Sequence, residues 1–305
     1  MTVPLPAGVA VLERGWLSSN NVLLHGEPGE GAVLVDSGHC LHAPQTLALV
    51  RQALAGAPLA RIVNTHLHSD HCGGNATLQR ALGAAVTVPA ASWQAVQAWD
   101  EDALSYRATG QLCERFAAQS SLAPGELLQV GGRAWQALAA PGHDPRSLML
   151  FEAHEGVLLS ADALWENGFG VVFPELDGVD AFDEVEAVLG LVERLPVRTV
   201  VPGHGAPFDD VAGALSRARS RLAGFRADPL RHARHGAKVL LKYHLMEQRS
   251  QDWPAVLAWA EATRLFAGVA RQLGWAEAST GCRQLVAELV GQGALRVDGE
   301  RVHDA

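Results

Sequence analysis

The order of apolar and polar positions divides the chain into two regimes. In the first, short apolar runs are cut by turn signals: Asn21 to His25, the turn Glu27-Pro28-Gly29-Glu30-Gly31, then Ala32 to Val35 ending at Asp36-Ser37-Gly38. Leu47, Val50 and Leu54 predict a helix over Pro44 to Ala55, and the β-branched residues that follow predict a strand over Arg61 to Thr65. Ala90 to Ala118 has few breakers and sets Trp93, Val96, Trp99, Ala103 and Tyr106 three or four apart, which predicts one or two helices. Strands resume at Glu126 to Val130, Ala134 to Ala139, Leu148 to Glu152 and Val157 to Ser160. Helix Phe182 to Leu195 and strand Thr199 to Val201 close this regime.

After about Ala227 the periodicity turns helical. Helices are expected over Pro229 to Gln248, Pro254 to Leu273 and Thr280 to Val290, the last with Ser279 as its N-cap. A hairpin over Ala294 to Val302 is expected to turn at Asp298-Gly299. The division predicts two domains, 1–226 and 227–305, the second a small, mainly helical, winged-helix-like module. A chain of 305 residues is long enough for both and need not lean on disulfides.

Composition narrows the setting. Cys40, Cys72, Cys113 and Cys282 have no regular spacing, so neither a disulfide framework nor a Cys-x-x-Cys zinc knuckle is indicated, and a reducing compartment fits. Met1 to Trp16 carries no signal-peptide pattern and no apolar stretch approaches about 20 residues. The expected location is the cytoplasm, without a membrane partner; the oligomeric state is left open. A net charge of −9 argues against nonspecific nucleic-acid binding by the chain as a whole. Yet Arg217 to Arg249 holds nine Lys or Arg against two acids, Asp228 and Glu247.

The candidate chemistry is densest at Asn64-Thr65-His66-Leu67-His68-Ser69-Asp70-His71-Cys72-Gly73-Gly74-Asn75. His66 and His68, at alternate positions, project the same way from extended backbone, and the following turn can bring Asp70 and His71 around a neighbouring point. One ion does not easily use all four. Mixed His and Asp sets suit catalytic ions that keep a position open for water. Three more candidate ligands sit where apolar strands stop: His143, Asp162 and His204. Cys72 reads as a small apolar filler, and His25, His39, His42, His154 and His303 as surface or loop residues.

His66-x-His68-x-Asp70-His71, then His143, Asp162 and His204 in that order, resemble the motif series of the metallo-β-lactamase superfamily over roughly residues 1 to 226. Asp36 matches the early aspartate that supports its ligands. The resemblance implies an α/β fold, an αββα sandwich with metals at one edge. It also implies His66, His68 and His143 on one ion, Asp70, His71 and His204 on the other, and Asp162 bridging both. Two Zn²⁺ are expected, with Fe or Mn as alternatives. A bridging carboxylate and a bridging hydroxide would offset the repulsion between two cations, and bound water titrates at about 7 rather than about 15.7. Asp70, the expected catalytic residue, can orient that hydroxide and pass a proton to the leaving group.

His71, in this Thr-His-x-His-x-Asp-His-x-Gly-Gly-Asn context, makes the chain look more like glyoxalase II and its relatives than like the true β-lactamases. The expected function is hydrolysis of a small ester, thioester or lactone. The alternatives are an endoribonuclease or phosphodiesterase using the same metals, and a persulfide dioxygenase-like enzyme with a single iron. Arg146, in the departing segment Asp144-Pro145-Arg146-Ser147, is a candidate for binding a substrate carboxylate or phosphate. Phe169 and Phe173, in Trp165 to Phe173, are candidate pocket walls. Arg231, His235, Lys238 and Lys242 form one basic stripe at helical spacing. Such a stripe is usually a solvated face; the alternative is a path for an anionic substrate, such as a coenzyme A thioester or RNA, toward the metals. DNA reading is not expected, because Thr280 to Val290 carries only Arg283 as a fixed positive charge.

Overall fold

The computed structural model describes residues 3–305. Six strands build the first sheet, in chain order across it: β1 (Val9–Leu12), β2 (Asn21–Leu24), β3 (Ala32–Val35), β4 (Leu59–Val63), β5 (Ala85–Pro89) and β6 (Ser120–Leu122). The first three are antiparallel, and β3 to β6 run parallel. The second sheet comprises β7 (Leu127–Val130), β8 (Arg133–Ala139), β9 (Leu148–Glu152), β10 (Val157–Ala161) and β11 (Thr199–Pro202) in the order β11-β10-β9-β8-β7, parallel only between β10 and β11.

Alternation along these strands decides how the layers stack. Val22, Leu24, Val33, Val35 and Val63 meet Leu148, Leu150, Val157, Leu159 and Val201 in one core between the sheets. Their neighbours Leu23, Leu34 and Ile62 point the other way, onto Val50 and Leu54 of helix Ala43–Leu54 and Leu78 of helix Asn75–Leu82. Met149, Phe151, Leu158 and Val200 do the same on the far side, against helices Phe182–Arg194 and Val211–Ala227. The result is the expected αββα sandwich. The central strands are covered on both faces, which is why β2, β3, β9, β10 and β11 read as nearly continuous apolar runs, whereas β7 and β8 alternate and leave one face exposed.

The C-terminal residues bury a core of their own. Leu240, Leu241 and Leu245 of helix Pro229–Gln248 pack on Val256, Phe266, Leu285 and Val302, and Val171 and Leu176 from the sandwich enter the same cluster. The expected helix over Pro254 to Leu273 is two, Trp253–Ala262 and Arg264–Gln272, because Thr263 is extended between them. Helix Ala278–Gly291 starts earlier than expected, with Glu277 rather than Ser279 at its N-cap. The hairpin pairs β13 (Leu295–Asp298) with β14 (Arg301–Asp304), so the turn is Gly299-Glu300, one residue past the expected pair, with Gly299 at φ +56°. β12 (Ser250–Asp252), not anticipated, adds a third strand beside β14. Ala90 to Ala118 is less helical than its spacing predicts, with only short helices at Trp93–Ala98 and Tyr106–Thr109. Among the described residues no helix is long and apolar enough to cross a membrane.

Candidate metal centre

The strand ends deliver the site. β4 stops at Val63, two residues short of the expected strand, so His66 and His68 lie on the loop beyond it, and Ser69–Cys72 forms one helical turn carrying Asp70 and His71. His143 follows β8, Asp162 follows β10 directly, and His204 follows β11. All seven side chains come together, buried, at one edge of the sandwich. His66, His68 and His143 form one group that could hold an ion, and Asp70, His71, Asp162 and His204 form another. Ala161 and Asp36 take left-handed backbone at φ 46° and φ 57°. Such conformations in residues with a side chain concentrate at functional sites.

The proton positions show what the groups fit. His143 Nδ1 lies 2.6 Å from the Val171 carbonyl, which can only accept, so that nitrogen carries the hydrogen. Thr65 Oγ1 donates to Asp36 Oδ2 at 2.7 Å, which leaves it to accept from His66 Nδ1 at 3.2 Å. Hence His66 Nε2 and His143 Nε2 point bare lone pairs inward. They lie 3.1 Å and 2.8 Å from His68 Nδ1. His68 Nδ1 has one hydrogen at most, so three nitrogens at this spacing suit a cation.

The second group follows the same logic. His71 Nδ1 donates to Asp36 Oδ2 at 2.7 Å, and the buried His71 Nε2 has no hydrogen-bond partner. It faces Asp162 Oδ1 at 3.5 Å and Asp70 Oδ2 at 3.8 Å. His204 Nε2 lies 3.1 Å from Asp70 Oδ2 and 3.9 Å from Asp162 Oδ1, while Asp162 Oδ2 reaches within 3.3 Å of His143 Nε2. One carboxylate therefore touches both groups. Imidazole and carboxylate donors without cysteine suit zinc, iron or manganese.

Electrostatics separates the groups. Burial, with His71 and its neighbouring imidazoles, holds His66 well below the usual histidine range, and burial with His143 lowers His68 to about 4. Burial also works against charge on His71, but Asp162, Asp36 and Asp70 raise it well above that range. Asp162 is held well below the carboxylate range: burial opposes ionisation, and His71 and His204 overcome it. The backbone nearby is equally committed. A Cβ on Gly203 would fall on Asp162 Oδ1, and one on Gly170 on His143 Nδ1.

A cleft of about 620 Å³ opens over this edge. Phe173 lines it and packs edge-on against His68 and His143 at 4.9 and 5.3 Å between ring centres. Two of the expected pocket residues do not line it. Phe169 is buried in the core between the second sheet and its helices, packed with Phe225 and with Arg221 over its ring. Arg146 does not line the cleft either: Nη2 donates to the Ala103 carbonyl at 2.5 Å and its own Asp144 caps its backbone NH, which turns it onto the neighbouring loop. Three of the four members of the basic stripe turn toward the cleft, and Arg231 stays exposed. His235, Lys238 and Lys242 line the cleft, and Arg231 lies in an adjoining groove.

Other residues of the site carry no motif. Trp16 is 61% exposed, stacks on His204 with ring centres 5.3 Å apart, and meets Trp165 edge-on. Trp165 Nε1 donates to Asp162 Oδ1 at 3.2 Å. Asn20 holds the His204 loop through the Pro202 and Gly205 carbonyls. Tyr243 lines the cleft with its hydroxyl 2.6 Å from Ser69 Oγ. Extending the basic stripe one residue beyond Lys242 reaches it. His39, expected at the surface, is fully buried against Glu247 of helix Pro229–Gln248, 2.9 Å away. Cys72 is buried and bonds to the Leu67 carbonyl and the Tyr106 hydroxyl, outside both ligand groups.

Known proteins share this architecture. The family model described as "Metallo-beta-lactamase superfamily" matches residues 14–204. A hydroxyacylglutathione hydrolase from Anaeromyxobacter dehalogenans (strain 2CP-C) is 32% identical over 206 residues, 65% of this chain and 69% of that protein. An acyl-coenzyme A thioesterase from Homo sapiens is 26% identical, covering 65% of this chain and 78% of that one. Among solved structures, a metallo-β-lactamase family protein from Thermus thermophilus covers 99% of this chain and 100% of its own at TM-score 0.58 and 21% identity, so the likeness of fold extends through the C-terminal helices. Another, solved in a di-iron-bound form, covers 69% of this chain and 98% of its own at 27% identity and TM-score 0.54. With its motif residues gathered at one sheet edge and its family match spanning most of the sandwich, the chain belongs to the metallo-β-lactamase superfamily and is a metal-dependent hydrolase.

Proposed function

We propose that the protein is a dinuclear hydrolase of small thioesters, with related esters and lactones as secondary substrates, and that zinc is its metal. The observation that carries this reading is the pair of donor groups sharing Asp162, each with bare donor atoms directed inward. His66, His68 and His143 would hold one ion, and Asp70, His71 and His204 the other. The thioester preference draws support from relatives that are named as hydroxyacylglutathione hydrolase and acyl-coenzyme A thioesterase. When bound, the ions would supply a water deprotonated near neutral pH and polarise the carbonyl to be attacked.

The chain's own residues do the rest. Asp70, engaged by His204 through Oδ2, has its second oxygen free to orient the attacking water and to return its proton to the leaving thiolate. Phe173, Trp16 and Trp165 form apolar walls that hold the acyl portion and exclude bulk water. Asp36 and the Val171 carbonyl fix His71 and His143 in the tautomers the site needs.

The test is metal content by elemental analysis, with hydrolysis of a panel of thioesters, lactones and aryl esters by wild type and Asp162→Ala. Two zinc ions per chain and loss of thioester turnover by at least about 100-fold in the variant are expected. Equal rates in the two proteins would sink the reading. A second reading, two irons in the same groups, is favoured by the di-iron-bound structural neighbour. Iron as the metal retained without supplementation would replace zinc with it.

A further inference from the structure

Between helices Val211–Ala227 and Pro229–Gln248 lies a second concavity, of about 510 Å³. Arg217, Arg221 and Arg231 line it with the hydroxyls of Ser216 and Ser220. Arg221 also lines the metal cleft, so the two hollows meet at one guanidinium.

That guanidinium is unusual in this part of the chain. Arg217 pairs with Asp210, Arg219 with Glu186 and Glu193, Arg226 with Asp183 and Arg234 with Glu288. Arg221 and Arg231 have no carboxylate partner among the described residues, although acids neutralise the arginines around them. Arg221 is half-buried, lies over the rings of Phe169 and Phe225 at 5.6 and 5.4 Å, and donates through Nη2 to His235 Nε2 at 2.7 Å. Burial and Arg231 both push it below the ordinary arginine range. Two guanidiniums that border one groove without a carboxylate partner repel, and Arg221 is packed against the Phe169 and Phe225 rings. An anion in the groove removes that repulsion.

Lys238 and Lys242 do not compete for this role. Lys238 Nζ pairs with Glu288 at 2.7 Å and Lys242 Nζ with Asp304 at 2.5 Å, so the unspent positive charge lies at the Arg221 end of the cleft. Guanidiniums with adjacent hydroxyls match phosphate geometry, and the groove is larger than a single carboxylate requires.

We propose that this groove is a phosphate subsite continuous with the metal cleft, and that the substrate is a thioester whose thiol carrier is phosphorylated. The thioester carbonyl then lies at the metals, and the carrier runs past His235 to Arg221 and Arg231. The proposal rests on the thioester hydrolysis argued above, and two readouts keep them apart.

The first readout compares a short acyl-coenzyme A with the same acyl-pantetheine, which lacks the phosphorylated nucleotide, on the metal-loaded full-length enzyme. Wild type should favour the coenzyme A thioester in kcat/KM by at least about 10-fold, and Arg231→Gln, at an exposed position, should cut that ratio by about 10-fold. A ratio near one, or one unmoved by Arg231→Gln, overturns the subsite. The second readout is calorimetric binding of adenosine 3′,5′-bisphosphate, which involves no turnover. Binding weakened about 10-fold by Arg231→Gln and by Arg221→Gln supports the groove as its site, whereas no binding, or equal binding, overturns it. Failure to hydrolyse either thioester would overturn the thioesterase reading alone, with the nucleotide arm still deciding the subsite.

Discussion

His71 Nδ1 donates to Asp36 Oδ2 at 2.7 Å, and the same carboxylate accepts from the backbone NH and hydroxyl of Thr65. Asp36 thereby ties the end of β3 to the loop that carries His66, His68, Asp70 and His71. With Nδ1 committed as a donor, His71 can offer only Nε2 to a cation. Asp36→Asn keeps the shape but removes the charge that makes the imidazole a strong donor. The expected outcome is a loss of about 10- to 100-fold in metal affinity, read by competition with a chelator, with the fold intact by circular dichroism. Unchanged affinity would show that Asp36 serves the loop and not the ligand.

Acid should empty the two ligand groups in sequence. In the metal-free protein His71 is raised well above the usual histidine range, so protons compete for its Nε2 even near neutrality. His68 is lowered to about 4, so protons compete for it only in strong acid. As pH falls, the ion held by Asp70, His71 and His204 is therefore expected to be released first, and the ion on the three histidines at lower pH. Elemental analysis after dialysis along a pH series should show a plateau at one ion per chain. Loss of both ions in a single step would contradict the order.

The pair His39 and Glu247 joins the sandwich to the C-terminal helices and stabilises their contact in a pH-dependent way. Burial opposes charge on His39, yet Cys40 and Glu247 together raise it to about 9. A folded value above the unfolded one means that the contribution is fully present below about pH 6.5 and is lost as pH rises through about 9. Glu247→Gln should destabilise by about 1–3 kcal/mol near pH 6, and by less above pH 9, in urea unfolding followed at both pH values. The same loss at both would mean that the hydrogen bond from the Leu112 NH to Glu247, and not the ion pair, is what matters.

These cases mark where the sequence is legible. The sandwich could be read because both faces of its central strands are buried, which leaves apolar runs broken by turn residues, and because each ligand sits where a strand stops. The strand Ser250–Asp252 could not, since pairing with β14, some fifty positions later, decides it, and no breaker residue marks the split at Thr263. Arg146 has the right chemistry beside a ligand, but a loop carbonyl 43 positions earlier turns it aside. His39 shows the converse: its partner lies 208 positions later, and no local pattern marks either one. The basic stripe was visible as a helix face, but only the packing of that helix over the sheet edge shows that the face lines the cleft.

Trp16 is the clearest case of a site residue that spacing does not reveal. It lies in the connection between β1 and β2, exposed, yet its indole is parallel to the His204 imidazole within 14° and borders the cleft with Trp165. An exposed indole contributes little to folding, so its stacking is better understood as a wall for the substrate's apolar portion. Trp16→Ala should leave the thermal midpoint and the metal content close to wild type. It should raise KM for thioesters with long or aromatic acyl groups by about 10-fold and barely affect acetyl thioesters, because only the larger groups reach the ring. If kcat falls equally for every acyl group with KM unchanged, the indole acts by orienting His204 and not by contacting substrate.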